Sequence, residues 1–372
     1  MAPNLLPVEA LERLNRQDGV DTRPILVRVL TDLFVQQPEH TAEDVARYEE
    51  LVGKLLDVVD VESRAAVARK LATDSRAPRS VIDRLLADEA AVSAPILARF
   101  GGAPRGRLLA LALDGGPVEA SAVASRTDID DELVRTLVHH GDDLVLETLA
   151  ANDAARLADG PLRTLVERAL DAPALAATLL RRVDIDPAAL APLYRFAEPA
   201  RRAAIRQALS TRAGRLAAGP RRPRSKDVRS LLSAAADAND PSAIAEALAE
   251  ALDLKPDDAA SLATDPSGEP FVMMLRAAGA TDEQIVRAML IGQPDIARSV
   301  ERFFELVEIA ETTPRGAAAE LIYALVAPSL RPAAPRREPV FEPLGAPERP
   351  GAARPVSPRR PAERQDVARR RS

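Results

Sequence analysis

Residues 61–100, VESRAAVARKLATDSRAPRSVIDRLLADEAAVSAPILARF, carry the pattern that decides the fold. Apolar residues come in quartets at i, i+1, i+4 and i+5: Val67, Ala68, Leu71 and Ala72, then Val81, Ile82, Leu85 and Leu86. Each quartet makes one stripe on a helix of about three turns, and so short a helix cannot bury its stripe alone. It needs neighbours of its own kind, which predicts a stacked array of helical repeats.

The pattern continues through Val92, Ile96 and Leu97, through Leu108–Leu113, and then through quartets starting at Leu133, Val145, Leu162 and Leu175. Successive quartets start 14 residues apart (67 to 81), then 12 (133 to 145), 17 (145 to 162) and 13 (162 to 175). Two such steps give a helical pair of about 25 to 30 residues, inside the solenoid range. Asp130 and Asp142 stand where N-caps belong, and Asp186-Pro187 places an N-cap before a proline whose missing amide does no harm at the first helical position.

Upstream, Val8–Asn15 and Pro24–Gln37 read as helices, and Thr41-Ala-Glu-Asp44 reads as a capping box opening a helix through Leu56. Downstream, Pro220 and Pro223 with their neighbouring Arg cannot continue a helix and mark a break. A second helical block follows. Asp240-Pro241 opens one helix, Thr281–Gln284 caps another, Phe303, Phe304, Leu306 and Val307 are expected to build a bulkier core, and Ala317–Val326 closes the block.

The runs Ser63–Asp74 and Asp130–Val138 resemble the HEAT-like and leucine-rich-repeat-variant units of bacterial proteins. The whole layout resembles an uncharacterised bacterial domain family of unknown function, found mainly in alphaproteobacteria. That resemblance implies an architecture and brings no catalytic residue with it. The expectation is therefore an all-α chain: a helical-repeat (HEAT-like) solenoid followed by a second helical block and a disordered C-terminal tail. Its boundaries are an array over 1–218, a Pro/Arg break at 219–227, the second block over 228–327 and the tail over 328–372.

Composition narrows the function. Apolar residues make up 47% of the chain but aromatic ones only 3%, with no Trp, which suits close helix stacking better than a deep aromatic ligand pocket. The absence of Cys removes disulfides, thiolate metal sites and cysteine nucleophiles. The start, MAPNLLPVEALERLNRQDG, lacks the basic-then-apolar order of a signal peptide, and no apolar run approaches the ~18 residues of a membrane span, so a cytoplasmic protein is expected. The net charge of −6 divides unevenly, because Pro328–Ser372 holds eleven Arg against five acidic residues and is +6, leaving −12 on the body. An acidic body does not attract nucleic acid, whereas the Arg-rich tail could make a weak anion contact.

Three clusters carry the residue types of a site. His139-His140-Gly141-Asp142-Asp143 has metal-ligand chemistry, but adjacent helical residues point about 100° apart, whereas a metal helix sets its His at i, i+4. A helix end with His at its negative pole explains the dipeptide equally well. Gly101-Gly-Ala-Pro-Arg-Gly106 has the glycines and the Arg of a phosphate loop, yet follows a helix and lacks the Lys-Ser/Thr of a P-loop, so it reads as a turn between repeats. His40 has no catalytic partner placed by any motif. In the tail, Ser357-Pro358-Arg359-Arg360 could accept a phosphate.

No catalytic residue, cofactor or metal is expected. The sequence favours a non-enzymatic scaffold that binds another protein along the surface of its repeats. The alternative is a helical-repeat nucleic-acid binder or DNA-repair-type enzyme, which would need a basic concave face and base-stacking aromatics.

Overall fold

The computed structural model describes residues 21–215, 230, 233–234 and 239–326. The expected helix Val8–Asn15, the Pro/Arg break and the disordered tail lie outside the described residues. The described chain is α-helical, with no strand among the described residues.

The first helices are α1 (Arg23–Gln36), α2 (Ala42–Leu56), α3 (Val61–Leu71), α4 (Arg79–Leu86), α5 (Ala90–Arg99) and α6 (Arg105–Asp114). They continue with α7 (Pro117–Ala124), α8 (Asp131–His140), α9 (Asp143–Ala151), α10 (Asp159–Ala169) and α11 (Pro173–Arg181). The odd-numbered helices pack chiefly on the helix two places along, and the even-numbered ones pack both on that helix and on their chain neighbours. One row runs α1, α3, α5, α7, α9, α11, and a second pairs α2 with α4 and runs α6, α8, α10. The quartets face inward between the rows, and Val67, Leu71, Leu85, Leu97, Leu137, Leu149 and Leu179 are fully buried.

The stack reveals a cleaner repeat than the quartets show. Leu71, Leu97, Val123 and Leu149 occupy one site at 26-residue intervals, followed by a 30-residue step to Leu179. Ala77, Ala103, Ile129 and Ala155 repeat the same interval at the turn after each first-row helix. Ser93 breaks the quartet in α5, and α7 supplies mostly Ala, so the period is hidden where the side chains are smallest.

Polar rungs tie the turns together. Arg126 is 2% exposed and donates to the carbonyls of Leu97 (2.5 Å) and Phe100 (3.1 Å), at the end of α5. Arg182 does the same two steps on, donating to Ala150, Asn152 and Ala155 (2.8–3.3 Å). Asn152 bridges the intervening turn by donating to Ala124 and Arg126. Helix ends leave carbonyls without intrahelical partners, and these side chains supply them.

Asp186 caps the next segment as expected, its carboxylate accepting from the Ala188 amide (3.0 Å), but Pro187–Phe196 is a 3-10 helix with Pro192 inside it. Pro192 has no amide to donate to an i−4 carbonyl, which disfavours a regular α-helical turn there. Then come α12 (Pro199–Arg215), α13 (Pro241–Leu252), α14 (Pro256–Ala263), α15 (Glu269–Ala278), α16 (Asp282–Gly292), α17 (Pro294–Ala297), α18 (Val300–Thr312) and α19 (Arg315–Val326). Both expected capping boxes form, Thr41 with Asp44 and Thr281 with Gln284. The second block is not separate from the array: α19 packs on α12 and on the 3-10 segment while also holding α15. Phe271, Met273 and Met274 of α15 are its buried centre.

Candidate interaction surface

Where the two blocks meet, a charged cluster is drawn out of solvent. Gly268, at φ +72°, turns the chain into α15 in a conformation that a residue with a side chain rarely adopts, and Glu269 follows it, 2% exposed. Its carboxylate accepts from Arg206 (2.5 Å) and Arg202 (3.5 Å) of α12, from Arg302 of α18 (3.3 Å) and from the Tyr194 hydroxyl. Arg206 also donates to Tyr194 Oη, and Arg302 also reaches the Ser267 carbonyl (2.7 Å). Burial, and then the Glu269 charge, push the Tyr194 phenol well above its ordinary range, so it stays a neutral donor.

Beside this cluster Arg195 pairs with Asp265 (2.8 Å). Burial pushes the Asp265 carboxyl up, but hydrogen bonds from Ser267 and Arg195 outweigh it and hold the group below its ordinary value. A buried carboxylate ringed by guanidiniums fixes geometry, because removing the carboxylate leaves the guanidinium charges without their shared partner. The cluster clamps α15 and α18 to the end of the array.

Clamping one side of α18 leaves the other bare. Leu306 and Ala310 are buried, and Arg302 is held at the junction. At about 100° per residue, Val300 and Phe304 fall together away from that side, and Val307 stands at its border, half-buried against the core. Val300 is 70% exposed and Phe304 64%. The sequence reading placed Phe304 in the core. The packed arc of α18 is filled instead by Leu306, Ala310 and half-buried Phe303, against which Phe304 stands edge to face with ring centroids 6.0 Å apart. Leu290 on α16, a helix packed against α18, is 52% exposed as well.

Helix α1 carries a second exposed apolar row, Ile25, Val29 and Leu33, whereas Leu113, Leu144 and Val183 are single exposed side chains on different elements of the array. Single side chains of that kind are normal on a protein surface, whereas a stripe on one helix marks a contact face.

The clusters singled out in the sequence are absorbed by local structure. His139 and His140 are exposed at the end of α8, their rings edge to face with centroids 4.9 Å apart. Asp142 caps α9 through the Val145 amide (3.0 Å) and Asp143 pairs with Arg168 (3.2 Å). Among the described residues no three His, Asp or Glu gather as a metal site would require. Gly101–Pro104 is the turn between α5 and α6, and Arg105 and Gly106 open α6, with Arg105 directed to Asp130 (2.8 Å) and Glu132 (2.5 Å). His40 stacks flat on Phe34 at 3.9 Å, beside the hydrogen bond of Tyr48 Oη to Thr31 Oγ1 (3.1 Å). No helix among the described residues is long and apolar enough to cross a membrane.

The clamp joins residues far apart in the chain, Tyr194 to Glu269 and Glu269 to Arg302, so no local motif announces it. The one signal in the sequence is Gly268 before an acidic helix start within an otherwise apolar block.

The chain belongs to a family described as "uncharacterised protein conserved in bacteria (DUF2336)", whose model matches residues 92–311. The matched span runs from α5 to α18 and takes in both the clamp and the bare face. Comparison with curated proteins gives no match, and neither does comparison with solved structures.

Proposed function

We propose that this DUF2336 member is a non-enzymatic scaffold, in which the helical stack carries a binding face on α18 that engages another protein. The observation that supports the reading is the solvent-held pair Val300 and Phe304, which half-buried Val307 extends at the edge of the core. A Phe that is 64% exposed beside a Val that is 70% exposed leaves apolar area in water that the helix could have turned inward. Burial of such area contributes roughly 25 cal/mol per Å². The clamp around Glu269 supports the same reading, because Arg302 fixes the rotation of α18 and so keeps the stripe outward.

The test is affinity capture from a native extract of the source bacterium with the full chain and with its Val300→Ser/Phe304→Ser variant as parallel baits. The scaffold reading predicts a protein retained by the first bait and lost from the second. Identical recovery by both baits, or recovery of nothing by either, overturns it.

A further inference from the structure

Resting on that scaffold reading, we infer that the element docking on α18 is a basic amphipathic helix of the partner protein. The stripe and its border have opposite chemistries. Counting 100° per residue from Val300, the apolar positions 300, 304 and 307 fall within about 60° of one another. Glu308, Glu301 and Glu305 form the next ridge round the helix, and Glu311 continues the stripe itself at its C-terminal end. Of these four carboxylates only Glu305 is paired, with Arg302 at 2.8 Å, and none of Glu301, Glu308 and Glu311 is held in an ion pair with a described residue. On the other border half-buried Val307 and Phe303 lead into the packed core.

A partner that covers the stripe also dehydrates the adjoining carboxylates, which is unfavourable unless cations meet them. The matching surface therefore has apolar anchors with Lys or Arg along one side. The stripe occupies positions i, i+4 and i+7 of a helix that rises about 1.5 Å per residue, so it is a straight, narrow seam. An amphipathic helix presents anchors at that repeat. The row of Glu also disfavours an anionic lipid surface or a nucleic-acid backbone at this face.

Three labelled 14-residue peptides test the inference by fluorescence anisotropy with the full-length protein. All carry Leu at helical spacing, and the remaining positions are all Lys, all Gln or all Glu. The inference predicts binding of the Leu/Lys peptide only. Affinity should weaken roughly tenfold or more in Val300→Ser/Phe304→Ser, as expected for loss of central apolar anchors. In Glu301→Gln/Glu308→Gln it should weaken several-fold, with a shallower salt dependence.

Leu/Lys binding unchanged in both variants would be diffuse attraction to an acidic body and would overturn the inference, as would equal binding of the Leu/Gln peptide. Binding to vesicles of phosphatidylglycerol that is lost in the Val300/Phe304 variant would assign the face to a membrane instead. If extract capture depends on Val300 and Phe304 while no Leu/Lys peptide binds, the scaffold reading stands and the basic-helix inference falls.

Discussion

Replacing Glu269 with Ala removes the carboxylate that three guanidiniums and a phenol share. The side chain is almost wholly buried, and the side chains of Arg202 and Arg206 are each only 15% exposed, so water cannot fully replace it. Breaking a buried pair from one side typically costs about 3–5 kcal/mol, because the remaining charge stays behind without compensation. Tyr194→Phe deletes one donor to the carboxylate and one acceptor for Arg206 but leaves the Arg–Glu pairs, for a loss of about 1–3 kcal/mol. Combining the two should cost less than their sum, since the hydroxyl has lost its acceptor once the carboxylate is gone. The assay is urea unfolding followed by far-UV circular dichroism, with all four members of the cycle compared at one pH. An E269A loss below about 1 kcal/mol, or strictly additive effects, would refute the idea that the cluster holds the two blocks together.

Further outcomes follow from other named contacts. Arg126→Lys should destabilise by about 1–3 kcal/mol in the same assay, because an ammonium cannot span the Leu97 and Phe100 carbonyls and Asp128 as the planar fork does. Gly268→Ala should cost more than about 1 kcal/mol, since the residue sits at φ +72° and a Cβ there would meet the side chains of Ile296 and Leu306; a neutral result would show that this turn can relax. Asp128 and Asp184 are held below the ordinary carboxyl value of 3.8 by hydrogen bonds from Arg126 and Arg182. Both groups bind protons less readily folded than unfolded. Their stabilising contribution is therefore present above that value and lost as pH falls through the folded value, so the urea midpoint should drop between pH 5 and pH 3, and by less in Asp128→Asn.

The stacked architecture was legible because it rests on a local signal. Quartets such as Leu133–Val138 and Val145–Ala150 fix both the helices and the faces they bury, and Asp130 and Asp142 cap where an exposed first turn needs an acceptor. What escaped reading depends on residues distant in the chain. Arg126 and Asp128 look like a solvated turn in sequence, and only the stack shows that Arg126 reaches back to α5 and is buried. Helix α18 is apolar on more than one side, through Phe303, Phe304, Leu306 and Val307, and periodicity alone does not say which side packs. The structure decides it through Arg302, whose partner Glu269 lies on another helix. The candidate surface became visible only once the clamp had set that rotation.

The most direct measurement is site-specific photocrosslinking in living cells of the source bacterium, with a photoreactive phenylalanine analogue placed at position 304 of the full chain and, in a control, at position 144. Leu144 is also exposed, at 54%, but lies on α9 of the array. A crosslinked protein partner from position 304 and none from position 144 is the predicted result. The same partner from position 144 with nothing from 304 would contradict the account and move the binding face onto the repeats.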